Sequence, residues 1–240
     1  MSNKSRLLVI GNSHIECLQS AIKKNPDIKH SQVFNLSQIV KNGSTIKQIV
    51  LEIVENVRDF NPDSVCVCLS GNEHNILGVL ENPIPFSVGE KSKGSTSPSS
   101  KERHFIPYAL MEDYFDNQLQ KPLLSLIYQS FPDTVRLYLN PPPPISDFSH
   151  IQKYPGVFRD KLELGSAPND LKMQLYRIQS SALRKMAEKE NAIFVDVEPG
   201  LLDSEGFLNS DYFNQDPTHG NAAYGKVMLE RLITFAASAQ

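Results

Sequence analysis

Ile46, Ile49, Val50, Ile53, Val54 and Val57 recur at spacings of three and four, which places them on one face of a helix. Weaker versions of this pattern predict helices over residues 14–24, 121–131, 171–188 and 222–237. Between them lie short β-rich runs at 6–10, 33–36, 64–69, 134–139 and 192–197, the form taken by strands buried on both faces. Strands alternating with helices predict an α/β domain built on a parallel sheet with right-handed crossovers.

Two stretches break the alternation. Residues 81–103 carry Pro83, Pro85, Gly89, Gly94, Pro98 and several serines, too little apolar surface to pack as a core element, and are expected to form a mobile excursion. Residues 141–168 open on four consecutive prolines and are expected to be extended and loosely oriented. The alternation resumes after each. The expectation is therefore one domain over 1–240 with irregular insertions at about 81–104 and 141–169.

Composition narrows the function classes. The 240 residues are 40% hydrophobic and 21% charged, an ordinary globular balance, and a net charge of −3 with scattered lysines argues against nucleic acid. No run approaches the roughly 18 apolar residues of a membrane span, and the apolar run at 7–10 is too short for a signal segment, so a cytoplasmic location is expected. Cys66 and Cys68 fall on one face of a strand, and with Cys17 they give no zinc-ligand spacing, so no metal or other cofactor is expected.

Candidate chemistry sits at the junctions. Ser13 follows Gly11 and Asn12 where the first strand gives way to a helix, so its hydroxyl lies near free N–H groups and the positive end of the helix dipole. Asn12 or Ser13 could equally be a helix cap. The Asp-x-x-His matches weighed for the base are Asp147–His150 and Asp216–His219. The second is preferred because it abuts the last helix, with Asn221 as a possible cap, whereas the first lies in the proline-rich excursion. Asn72, in Ser70-Gly71-Asn72-Glu73 after the 64–69 strand, could donate its amide to an oxyanion, or could be an ordinary turn residue. Gly43 could supply a backbone N–H, although Asn42-Gly43 is also a common turn.

In this order, Gly11-Asn12-Ser13-His14, Gly43, Ser70-Gly71-Asn72-Glu73 and Asp216-Pro217-Thr218-His219 resemble the successive blocks of the SGNH, or GDSL-type, hydrolase family. Three departures stand out: Asn12 replaces the family's Asp, Ser70 its Gly, and Glu73 its Asp. The resemblance implies a three-layer α/β/α sandwich, flavodoxin-like, with a five-stranded parallel sheet in order 2-1-3-4-5. It also implies Ser13 as nucleophile, His219 as base, Asp216 as its partner, and an oxyanion hole of the Ser13 and Gly43 N–H groups with the Asn72 amide.

The expected activity is cleavage of carboxylic esters through an acyl-enzyme, with a small-molecule or glycan ester, such as a sugar O-acetyl group, as substrate. An O-acyltransferase using the same intermediate, and a non-catalytic binding protein on the same fold, are the alternatives.

Overall fold

The computed structural model describes residues 5–25, 28, 30–38, 43–89 and 103–239. Residues 1–4, Asn42, and the glycine- and serine-rich part of the first excursion at 90–102 lie outside them.

Strand β1 (Leu7–Gly11) is buried throughout and leads through a 3-10 turn (Ser13–Ile15) into α1 (Glu16–Lys24). Then come β2 (Ser31–Asn35), α2 (Ile46–Val57) and β3 (Ser64–Cys68). Helix α2 opens on a capping box: Thr45 Oγ1 accepts from the Gln48 N–H, and the Gln48 side chain accepts from the Thr45 N–H. After β3 the chain forms α3 (Glu73–Gly78), β4 (Phe86–Gly89), β5 (His104–Pro107), α4 (Tyr108–Gln118) and α5 (Lys121–Ser130). It continues with β6 (Val135–Leu139), α6 (Phe148–Lys153), α7 (Asn169–Lys189), β7 (Ile193–Val195) and α8 (Ala222–Ser238).

The main sheet has five parallel strands in the order β2-β1-β3-β6-β7. Counting only these five, this is the expected 2-1-3-4-5 arrangement. Alternation along the strands sorts the core into two layers. Leu8, Ile10, Val65 and Val67 pack with residues of α2, α5 and α7, while Leu7, Val9, Cys66 and Cys68 pack with residues of α1 and α8. The molecule is thus an α/β/α sandwich. Among the described residues no helix is long and apolar enough to cross a membrane.

Both excursions are better packed than their composition suggests. Phe86 and Val88 are buried in the core, and β4 pairs with β5 as a separate two-stranded parallel sheet. Arg103 closes the base of this unit by pairing with Glu81 and donating to the Phe86 carbonyl. The expectation that residues 81–103 would not pack therefore fails at its ends, where two apolar side chains on one strand face reach the core.

The loose orientation expected of 141–168 fails as well. Residues 141–145 are buried, the chain then forms α6 and a 3-10 stretch (Gly156–Leu164), and Lys172 of α7 donates to the Ile145 carbonyl and Ser166. Proline has no N–H to satisfy, so a proline run can be buried with fewer unpaired donors than other loops.

Candidate active site

Gly11 and Cys68 are register partners on the adjacent strands β1 and β3, so residues just beyond them emerge side by side at the carboxyl end of the sheet. A Cβ on Gly11 would stand 2.5 Å from the Cys68 carbonyl oxygen and 2.8 Å from the Ile15 side chain. Only glycine lets the strand turn here into the Ser13–Ile15 helix. Asn12 is extended and makes no side-chain cap, so the ordinary capping role is not taken up at this helix start. Ser13 Oγ instead lies 2.9 Å from His219 Nε2.

That contact requires α1 and α8 to pack closely. A Cβ on Gly225, in the first turn of α8, would fall 2.1 Å from the Cys17 carbonyl oxygen, so the two backbones touch at this point. Asn221 starts α8, its side-chain oxygen accepting from the Ala223 and Tyr224 N–H groups while its amide donates to the Asp211 and Phe213 carbonyls. The same residue thus caps the helix and closes the loop that carries His219.

Within this loop Asp216 Oδ1 accepts from His219 Nδ1 at 2.9 Å and from the Thr218 and His219 N–H groups at 2.9 and 2.8 Å. Asn214 donates to Oδ2 at 2.7 Å. Burial alone would raise the Asp216 carboxyl, but the bond and charge of His219, with the two N–H groups, outweigh it and hold it well below the usual carboxylate range. A carboxylate that stays ionised fixes the proton of His219 on Nδ1. Nε2 is then free to accept from Ser13.

The third strand end is shaped by strain and by Glu73. Ser70 has φ +62 and Gly71 φ +111, so a left-handed step stands where the resembled family has glycine. Glu73 accepts from the Gly71 N–H at 2.8 Å and from Gln179 of α7 at 3.0 Å, which ties this turn to the helix layer. Asn72 begins α3, and its side-chain oxygen accepts from Asn75 at 3.0 Å. The acceptor end is occupied, which leaves the NH2 end as the group Asn72 presents.

Gly43 occupies an exposed turn at φ +90, two residues before the Thr45 cap, with nothing within 4 Å of where a Cβ would stand. The hydrogen bonds that gather Ser13, His219 and Asp216 do not extend to it.

His14 and His74 are both buried. The His14 ring lies 4.8 Å from that of His219 with neither nitrogen hydrogen-bonded among the described residues, and burial, then the charges of His219 and His74, push it well below its ordinary value. His74 is bound to Gln179 through its backbone N–H and Nδ1, and burial pushes it down to about 4. In both, burial disfavours the charged form. Among the described residues no group of three or more His, Cys, Asp or Glu could hold a metal ion.

A cleft of about 90 Å³ adjoins the pair, lined by Ser13, Glu16, Ser20, Asn214, His219 and Asn221. A larger opening, about 1050 Å³, lies among Asn61, Asp63, Pro132 and Arg136 at the amino ends of the strands, remote from this chemistry.

The preference between the two Asp-x-x-His matches has a structural outcome. Asp147 caps α6, accepting from the Ser149 and His150 N–H groups, while His150 Nε2 lies 3.1 Å from the Asp216 carbonyl oxygen. Asn75, Asn214 and Gln179 were not legible as parts of the site, and His150 was read only as the rival base. The only sequence signals were short: Asn75 is one helical turn beyond Asn72, and Asn214 is two residues before Asp216.

No protein-family model matches the sequence, and no curated protein sequence does. Solved structures similar to this chain include a GDSL-like lipase from Bacteroides thetaiotaomicron VPI-5482, 15% identical, covering 98% of this chain and 91% of that one with a TM-score of 0.46. A catalytic mutant of an acetylxylan esterase from Geobacillus stearothermophilus is 15% identical, covering 98% and 94%, with a TM-score of 0.46. The periplasmic domain of a lipopolysaccharide acetyltransferase from Salmonella ser. Paratyphi A is 10% identical, covering 98% and 84%, with a TM-score of 0.49.

Proposed function

We propose that the protein is a serine hydrolase of the SGNH type that cleaves carboxylic esters through an acyl-enzyme. The observation that carries this reading is the unbroken relay from Ser13 Oγ to His219 Nε2 and from His219 Nδ1 to Asp216, each link 2.9 Å long. Ser13 attacks the ester carbonyl as its proton passes to Nε2, and Asp216 stabilises the imidazolium. The oxyanion is met by the Ser13 N–H and the Asn72 amide. The tetrahedral intermediate collapses, the alcohol leaves with the proton from Nε2, and water activated by His219 releases the acid.

A small acyl group such as acetyl is part of this proposal, the space beside Ser13 and His219 being a cleft of about 90 Å³. Its polar lining suits an ester of a hydroxylated compound, a sugar among them. The test is incubation with p-nitrophenyl acetate, with and without sugar alcohols, quantifying free acetate and acetylated sugar. Acetate release that vanishes in Ser13→Ala supports hydrolysis, acetylated sugar would make the enzyme a transferase, and no turnover by folded protein overturns the reading.

A further inference from the structure

The Asp147–His150 match ends on the Asp216–His219 loop. His150 Nε2 lies 3.1 Å from the Asp216 carbonyl oxygen across 66 positions of sequence. A carbonyl only accepts, so Nε2 carries the hydrogen and His150 is the donor. Its ring is wedged between Tyr154, 5.1 Å away, and Phe213, 4.8 Å away, each tilted at 53°. Its helix is fixed from below by the Asp147 cap. The adjoining chain meets the same loop: a Cβ on Gly156, which has φ +51, would stand 3.1 Å from the Pro217 ring.

Asp216 is followed by proline, which gives the turn no N–H at position 217. The carboxylate of Asp216 is held from within the loop by Thr218, His219 and Asn214. Its carbonyl is held from outside the loop by His150, and a rotation of this peptide would swing the carboxylate relative to His219.

We propose that His150 is a positioning residue for the acid of the triad: by donating to the Asp216 carbonyl it fixes the peptide plane from which the carboxylate reaches His219. This rests on the serine hydrolase reading above. It gives the proline-rich excursion a task, namely to deliver a hydrogen-bond donor to the back of the Asp216 loop. His150 touches no reacting atom, so its effect falls on turnover rather than on substrate affinity.

The donor and the ring can be separated. His150→Phe keeps an aromatic ring between Tyr154 and Phe213 but cannot donate, whereas His150→Gln loses the ring and keeps an N–H at a similar reach. Each would be assayed for kcat and KM with p-nitrophenyl acetate and for the rate of Ser13 labelling by a fluorophosphonate, with thermal melts alongside and His150→Ala as a second donor-less variant.

The expected result is a fall in kcat and labelling rate of roughly 10- to 100-fold in the donor-less variants with KM nearly unchanged, and recovery to within about threefold of wild type in His150→Gln. Wild-type kinetics in a folded donor-less variant, or a Gln variant as impaired as the Phe variant, would overturn the proposal. A wild-type protein that is neither labelled nor active would instead fault the hydrolase reading.

Discussion

Ser13 Oγ and His219 Nε2 lie 2.9 Å apart although 206 positions separate them in the chain. Their meeting follows from two contacts made by small residues, Gly11 against Cys68 and Gly225 against Cys17. The first aims the serine out of the sheet; the second brings in the helix preceded by the histidine.

Gly225→Ala is therefore expected to act on both stability and chemistry. A methyl group there would overlap the Cys17 backbone, and overpacking of this kind costs about 1–3 kcal/mol while pushing α8 from α1. Thermal denaturation should show a lowered midpoint, and esterase assay of the remaining folded protein should show a kcat loss that the conservative surface change Ala239→Ser does not produce.

On the proposed mechanism Asn72→Ala removes an oxyanion donor, aimed at charge that develops only in the transition state. Loss of one such donor lowers kcat by about 10²- to 10³-fold. Ser13 would still meet His219. Asn75→Ala frees the Asn72 amide to rotate and is expected to give a smaller loss in kcat, both changes leaving KM nearly unaltered in steady-state assays.

Ser70 holds φ +62, a region unfavourable to side chains other than glycine's, and its hydroxyl is buried without a hydrogen-bond partner among the described residues. Ser70→Gly is expected to relieve this strain and raise stability by up to about 1 kcal/mol, measured as a higher urea midpoint. Ser70→Val should lower the midpoint.

Acid should destabilise the fold earlier than its carboxylates alone would require. His74 sits at about 4 when folded against an ordinary 6.5, and His14 is lowered in the same direction, so the unfolded chain binds protons that the folded chain excludes. The His74 contribution is complete above pH 6.5 and is lost as pH falls towards 4, His14 acting in the same direction, while Asp216, held low, still favours the folded state until its own proton binds. Urea midpoints between pH 7.5 and 4.5 should therefore fall, and His74→Gln should flatten that slope.

How far the chain could be read before its structure was known depends on how local each signal is. The five main strands were visible because each is a short apolar run, and Ser13, Asn72 and Asp216–His219 because each stands where a strand or helix begins or ends. The packed state of Phe86 and Val88 was hidden because their neighbours are prolines and glycines and their partners lie in distant helices. His150 looked like a rival to His219 because Asp-x-x-His serves both as a cap, at Asp147, and as a carboxylate bonded to an imidazole, at Asp216. The structure separates those uses: the Asp216 carboxylate reaches the His219 ring, whose Nε2 meets Ser13, whereas His150 Nε2 meets the Asp216 carbonyl.

The most direct test of the central claim is mass spectrometry of the protein after exposure to a fluorophosphonate. A serine activated by His219 and Asp216 is predicted to carry a single adduct on the peptide containing Ser13, and His219→Ala is predicted to lose it while keeping its fold. A folded wild-type protein that takes up no adduct, or that carries it on another residue, would contradict the account.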